Sequence, residues 1–178
     1  MKLDLVQDLK SVPDHCHVIR LARLPKDFLE KKKVLPIQLD KELEPSTQDK
    51  DSKPPHLSFW VEFLTTPNQA YNFLRQNNPN SDKKLVLRLK VEEIRKVVGI
   101  VDKENTYPEL LDVIWVFLEK SVRDSHPGAK GHSGIIGLFE QSLPSGLTKG
   151  QSKLLRKYLR SKLAELASKD CFMLEEEE

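Results

Sequence analysis

Residues 106–123, TYPELLDVIWVFLEKSVR, contain the longest apolar run of the chain. At about 100° per residue, the apolar side chains cover one wide arc of a helix, and charged side chains fall in the remaining gap. Thr106 and Glu109 also have the spacing of a capping box. A strand over this run would bury both faces and leave the charges unexplained. We therefore predict a helix over 106–123, and because so wide an apolar arc must be enclosed, we expect it to be the central helix of the core.

Three upstream stretches predict strands of a small, mostly antiparallel sheet. They cover residues 15–24, 57–64 and 84–90. In the second and third stretches, alternating residues place the apolar side chains on one face. Such a pattern is typical of an antiparallel sheet with one face in water. Residues 34–39 are a further candidate, although Pro36 would confine that strand to a sheet edge.

Helices are predicted to flank this sheet. Thr66 begins a capping signature, so we expect a helix over 66–76. A shorter helix is expected over 91–98. Residues 2–11 have an amphipathic pattern, and residues 25–33 could form a helical turn or two.

Residues 40–55, DKELEPSTQDKDSKPP, differ sharply in composition from their surroundings. Half of these positions are charged, and Leu43 is the one aliphatic residue. Such a segment buries too little apolar area to offset the entropy of ordering it. We predict a mobile polar loop.

Beyond residue 123, no strand pattern is evident. Six of the seven glycines lie between Gly128 and Gly150, and helices are predicted over 134–143 and 148–168. The predicted fold class is therefore α+β, with a small antiparallel sheet and flanking helices followed by an all-helical C-terminal half. This divides the chain into a part over 1–104 and a part over 105–178, and whether the two share one core is open.

Composition excludes several classes of protein. The chain has 178 residues, of which 38% are hydrophobic and 31% charged, and its net charge is +2. The net charge is therefore too small to indicate a charged class of partner. Cys16 and Cys171 do not form a disulfide framework, so we expect a cytoplasmic protein. We expect no membrane span, because the longest apolar run is far too short, and we predict no cofactor.

The last predicted helix carries the main functional pattern. Five of its basic side chains fall within about 100° of one another on a helical wheel. They are Lys149, Lys153, Arg156, Lys157 and Arg160. Evenly spaced cations on one exposed face suit contact with phosphates. A solvated helix face would look the same, since lysines are favoured near a helix C-terminus.

We therefore predict a non-enzymatic binding protein that contacts nucleic acid through this basic helix. The first alternative is a protein-interaction subunit that uses the helix, or the Trp60 face of its strand, against an acidic protein surface. The chain ends in four glutamates, and such a tail could fold back over the basic face and compete with an anionic partner.

The glycine-rich segment is a second, weaker candidate for anion binding. Lys130, Gly131, His132 and Ser133 could form a loop whose amides approach an anion at the start of the helix predicted over 134–143. The spacing matches neither a P-loop nor a dinucleotide fingerprint. A tight turn between packed helices is the simpler interpretation.

Two further groups of residues were weighed for other chemistry. His15, Cys16 and His17 are close in sequence, but a strand would place Cys16 opposite the two imidazoles, so we predict no metal site. Arg20, Glu62 and Arg88 could form a cleft that acts on a nucleotide-like substrate. Ordinary cross-strand pairing explains them equally well, so an enzyme remains the second alternative.

Overall fold

The computed structural model describes residues 10–175 of the chain. In this range the strands are β1 (His17–Ala22), β2 (Leu57–Val61), β3 (Leu85–Lys90), β4 (Gly99–Ile100), β5 (Thr106–Tyr107), β6 (Asp112–Trp115), β7 (His132–Ile136) and β8 (Cys171–Met173). The helices are α1 (Phe28–Lys31), α2 (Pro36–Leu39), α3 (Thr47–Asp51), α4 (Pro67–Asn77), α5 (Val91–Arg95), α6 (Lys120–Ser125) and α7 (Lys149–Lys169).

Six of these strands form one antiparallel sheet in the order β6-β7-β2-β1-β3-β8. The strands β4 and β5 pair separately as a short hairpin. The prediction of an α+β fold with an antiparallel sheet is confirmed. Strands β1, β2 and β3 fall inside the three stretches predicted as strands. In β2 and β3, alternating residues lie on opposite faces of the sheet.

Helices cover both faces of the sheet. On one face, α7 contacts β3 and contributes to the larger core cluster. This cluster includes Leu155, Leu159 and Leu163 of α7 together with Val18, Phe59 and Leu87 of the strands. On the other face, Ala70 of α4 packs with Ile19, Trp60 and Val86. The face that was predicted to be in water is therefore partly covered by α4.

The prediction of a central helix over 106–123 is wrong. These residues form β5, β6 and the start of α6. Glu109 has a φ of 60°, in the left-handed region, which interrupts any right-handed helix. Val113 and Ile114 are consecutive and both buried, because β6 is covered on both faces. A short strand of this kind has an unbroken apolar run, which periodicity cannot distinguish from a buried helix.

The all-helical C-terminal half is correct only for α7, which matches the helix predicted over 148–168. Thr148 caps it by accepting a hydrogen bond from the Gln151 N–H. The helix predicted over 134–143 is wrong, because this region forms the end of β7 and a 3-10 turn at Glu140–Ser142.

The prediction of a mobile loop over 40–55 is also wrong. The segment contains α3, and Leu43 is fully buried. Likewise the edge strand predicted over 34–39 is replaced by α2, which begins at Pro36. Proline is tolerated in the first turn of a helix as well as in an edge strand, so Pro36 is compatible with either structure.

The remaining helical predictions have mixed outcomes. The helix over 66–76 is confirmed as α4, with Thr66 and Gln69 forming the capping box. The helix over 91–98 is shorter, ending at Arg95 in α5, and α1 lies inside 25–33. Most of the helix predicted over 2–11 and most of the glutamate tail fall outside the described residues.

The sheet draws strands from both predicted parts of the chain. Within it β7, from residues 105–178, pairs with β2, from residues 1–104, and His132 lies opposite Trp60. Buried side chains of both parts belong to the same core cluster.

Candidate functional site

The basic residues of α7 lie on its outer side. Its inner side buries leucines against the sheet, so the 3.6-residue repeat turns the cations toward the surface. Three of the predicted residues are exposed, namely Lys149, Lys153 and Lys157, and two are half-buried, namely Arg156 and Arg160.

Four of these five residues line one cleft of about 440 Å³. The cleft lies between α7, the segment around α3 and the loop that follows β7. Its basic lining consists of Lys50, Lys153, Arg156, Lys157 and Arg160, and its acidic lining of Glu44 and Glu140. Lys149 does not line it. The face predicted from the helical wheel is therefore one wall of a concave site.

Lys50 was missed by the sequence analysis. It belongs to the segment that was predicted to be a mobile loop, so nothing in the sequence placed it near α7. A capping pattern of Ser46 and Asp49 at the start of α3 is the one signal that could have indicated an ordered helix there.

A buried carboxylate holds α3, and therefore Lys50, in place. Asp49 accepts hydrogen bonds from the Ser46 N–H at 2.8 Å and from Ser58 Oγ at 2.7 Å. Burial alone would raise the pKa of Asp49, but these hydrogen bonds and the charge of Arg20 lower it below its ordinary value. The carboxylate is consequently ionised and fixes α3 to the beginning of β2.

The charges of the cleft are only partly compensated. Arg160 lies 3.7 Å from a carboxylate oxygen of Asp40 and 3.7 Å from one of Glu44. Lys153 and Lys157 have no ion-pair partner within residues 10–175. Positive charge therefore exceeds negative charge along the α7 wall, and the most exposed lysines are available to a ligand.

The glycine-rich segment does not form the predicted anion-binding loop. The Gly131 N–H already donates to Thr65 Oγ1 at 2.9 Å, and the Gly131 carbonyl accepts from the Val61 N–H at 2.7 Å. His132 and Ser133 belong to β7, and Ser133 is fully buried. Of the four predicted residues, only Lys130 is exposed.

His132 has an apolar environment. Its ring meets the Trp60 ring edge-on at 6.2 Å between centroids and the His56 ring at 5.8 Å. Burial lowers the pKa of His132 to about 4, although its hydrogen bond to the Val116 carbonyl acts in the opposite direction. The ring is neutral at physiological pH and has a structural role.

Of the three residues considered for a catalytic cleft, Glu62 and Arg88 meet, whereas Arg20 lies apart from them. Arg88 pairs with Glu62 at 2.7 Å between Nε and Oε2. Arg20 lies opposite Leu87 in the β1–β3 ladder, whereas Arg88 lies opposite Ile19. Because successive residues of a strand alternate between faces, Arg20 and Arg88 are on opposite sides of the sheet. Arg20 instead donates to the Ser58 carbonyl at 2.6 Å.

The His15, Cys16 and His17 group shows no metal-binding geometry. Cys16 is buried, and burial raises the pKa of its thiol. Within residues 10–175, no three His, Cys, Asp or Glu side chains are arranged to hold a metal ion.

None of the helices that the structure describes has the length and apolar character needed to cross a bilayer. Comparisons of the chain with protein-family models, curated proteins and solved structures find no match.

Proposed function

We propose that this protein binds nucleic acid, and that the cleft along α7 holds the phosphate backbone. The observation that carries this proposal is the convergence of five basic side chains, from α3 and α7, on one cleft. Charge-assisted contacts from Lys and Arg to phosphate provide most of the affinity in such interfaces.

The spacing of the exposed lysines also supports a linear polyanion. Lys149, Lys153 and Lys157 follow one another at four-residue intervals, which places neighbours about 6 Å apart along the helix axis. That distance is similar to the spacing of successive phosphates in a nucleic-acid strand. Like charges at this spacing repel each other and cost some helix stability, so a bound anion would stabilise the arrangement.

The two free cysteines support a cytoplasmic location as part of this proposal. Cys16 is buried and Cys171 lies at the far end of the chain, and neither is needed as a cross-link to hold the sheet.

The test is charge reversal of the three exposed lysines, K149E/K153E/K157E. We expect affinity for an oligonucleotide at low salt to fall at least 100-fold and the salt slope to flatten by about 2. Arg160 is left unchanged, because a glutamate there would face Asp40 and Glu44 and destabilise the fold. Binding is measured by fluorescence anisotropy with a labelled oligonucleotide.

The matched control is K26E/K33E/K103E. These lysines are also exposed, do not line the cleft, and change the net charge of the protein by the same amount. We expect the control to retain nearly all of the wild-type affinity. Equal losses in both triple variants would contradict a localised site, and unchanged affinity in the α7 variant would contradict the proposal.

An acidic protein partner is the competing outcome. In that case K149E/K153E/K157E would lose at least as much affinity for an acidic polypeptide such as poly-glutamate as for an oligonucleotide. We favour nucleic acid because the cations are evenly spaced along one helix.

A further inference from the structure

A second surface, distant in sequence from α7, carries two exposed aromatic rings beside a half-buried one, Trp115, that packs against the larger core cluster. The aromatic platform consists of Phe63, Trp115 and Phe117, with Arg123 beside them. Phe63 is 68% exposed and Phe117 is 57% exposed. Leaving rings of this size in water forfeits apolar burial, and contiguous exposed apolar groups mark binding surfaces.

The rings have a defined mutual geometry. The Trp115 and Phe117 planes are within 8° of parallel, with centroids 6.2 Å apart, and Phe63 meets Trp115 edge-on at 6.4 Å. The three rings do not lie in one plane, since Phe63 is almost perpendicular to Trp115. Their arrangement is pre-organised, because Trp115 is held in β6 by main-chain hydrogen bonds. One of these bonds joins the Trp115 N–H to the Lys10 carbonyl at 2.9 Å.

Positive charge accompanies the rings. The Arg123 guanidinium lies 5.4 Å from the centroid of Phe117. Its Nε is buried and has no hydrogen-bond partner within residues 10–175, and no carboxylate there pairs with it. Lys10, whose carbonyl accepts the hydrogen bond from the Trp115 N–H, is exposed. The carboxylate nearest in sequence to Phe63, that of Glu62, is already neutralised by Arg88.

We propose that the aromatic platform stacks unpaired bases, so that the nucleic acid bound by this protein is single-stranded. Exposed aromatic rings combined with unpaired cations are the arrangement that binds single strands without a sequence requirement. Paired bases in a duplex present only their edges, and cannot lie on a ring. This inference rests on the proposed function, since it names the form of nucleic acid that the protein binds.

This surface is not evident from the sequence, because Trp115 and Phe117 lie within the helix predicted over 106–123 and Phe63 lies within the strand predicted over 57–64. Strand β6 ends at Trp115, and Phe117, two residues further along the chain, is exposed.

The test compares leucine with tyrosine at two positions. F63L/F117L retains apolar side chains but removes the flat rings, whereas F63Y/F117Y retains both. With labelled oligo(dT) as probe, we expect the leucine variant to lose about tenfold or more in affinity. We expect the tyrosine variant to stay close to wild type, and the weaker affinity for a duplex of the same length to be unchanged in both.

A second measurement uses the wild-type protein. Trp60 is buried, so quenching of tryptophan fluorescence on addition of oligo(dT) reports mainly on Trp115. We expect strong quenching with oligo(dT) and little with the duplex, and loss of the signal in W115F.

Several results would overturn the inference. Wild-type affinity in the leucine variant, combined with lost binding in K149E/K153E/K157E, would reject the platform and retain the proposed function. Equal losses in the leucine and tyrosine variants, or binding of oligo(dT) without quenching, would also reject stacking. Failure of the wild type to bind either form would overturn both proposals.

Discussion

Burial of the His132 imidazole predicts that the stability of this protein depends on pH between neutral and mildly acidic values. The pKa of His132, about 4 in the folded state, lies below the value of about 6.5 expected in the unfolded chain. The unfolded state therefore binds more protons between these two values. The contribution of His132 to the free energy of unfolding is therefore complete above about pH 6.5 and falls as the pH is lowered toward 4.

This difference predicts a loss of about 2 to 3 kcal/mol between pH 7 and pH 4.5. Urea unfolding of the wild type and of His132→Gln at the two pH values measures it. The variant should lose less stability between them than the wild type does. The exposed His15 provides the control, because His15→Gln should keep the wild-type pH dependence. A wild-type free energy of unfolding that is equal at the two pH values would contradict the assignment of His132.

Single residues also limit what sequence alone could establish about the site. The outer residues of α7 could be predicted, because a helical wheel places Lys153 and Lys157 together without any tertiary information. Lys50 could not, because its position depends on the contacts that Asp49 makes with β2. The platform rings could not be placed either, because periodicity does not show that Phe63 and Phe117 follow the ends of β2 and β6 and lie at the surface.

Among the helices and strands, the capping residues Thr66 and Thr148 and alternating patterns predicted the correct element, whereas a run of buried apolar residues did not. Helices α4 and α7 could be predicted because capping residues mark their starts, and β2 and β3 because their residues alternate. The stretch containing β6 could not, because a strand covered on both faces loses its alternation. Its charges do have an explanation as a strand, since Asp112 pairs with Arg95 at 2.7 Å.

The turn that follows β7 depends on a glycine. Gly137 has a φ of 96°, and a Cβ there would lie 2.0 Å from the Leu110 carbonyl oxygen. We expect Gly137→Ala to cost more than about 3 kcal/mol, because strain at a positive φ adds to a clash with main chain. The loss is measured by urea unfolding.

A substitution at Gly146 distinguishes the strain of a positive φ from a clash with the main chain. The φ of Gly146 is 88°, but no atom lies within 4 Å of its Cβ position. Gly146→Ala should therefore cost only about 1 kcal/mol. Equal losses at Gly137 and Gly146 would show that the close approach of Leu110 has no influence.

At the scale of the whole molecule, long-range pairing decides the architecture. Strand β7 pairs with β2 across more than seventy residues of sequence, and segment 40–55 packs where Leu43 and Asp49 are buried. Such contacts leave no periodic trace in the sequence. The α+β class could be predicted from the strands near the N-terminus, whereas the six-strand order could not.

The molecule as a whole has a net charge of only +2, so its attraction for a polyanion must come from local concentration of cations. The cleft beside α7 is the surface where several cations converge. In our two proposals, this cleft would contact the phosphates of a nucleic acid and the aromatic platform its bases.

The most direct test of the central claim is the affinity of the wild-type protein for oligo(dT) as a function of salt concentration. Contacts from the cations of the cleft predict a slope of about −2 to −4 when the logarithm of the binding constant is plotted against that of the salt concentration. A binding constant that does not change with salt, or no binding at low salt, would contradict the claim.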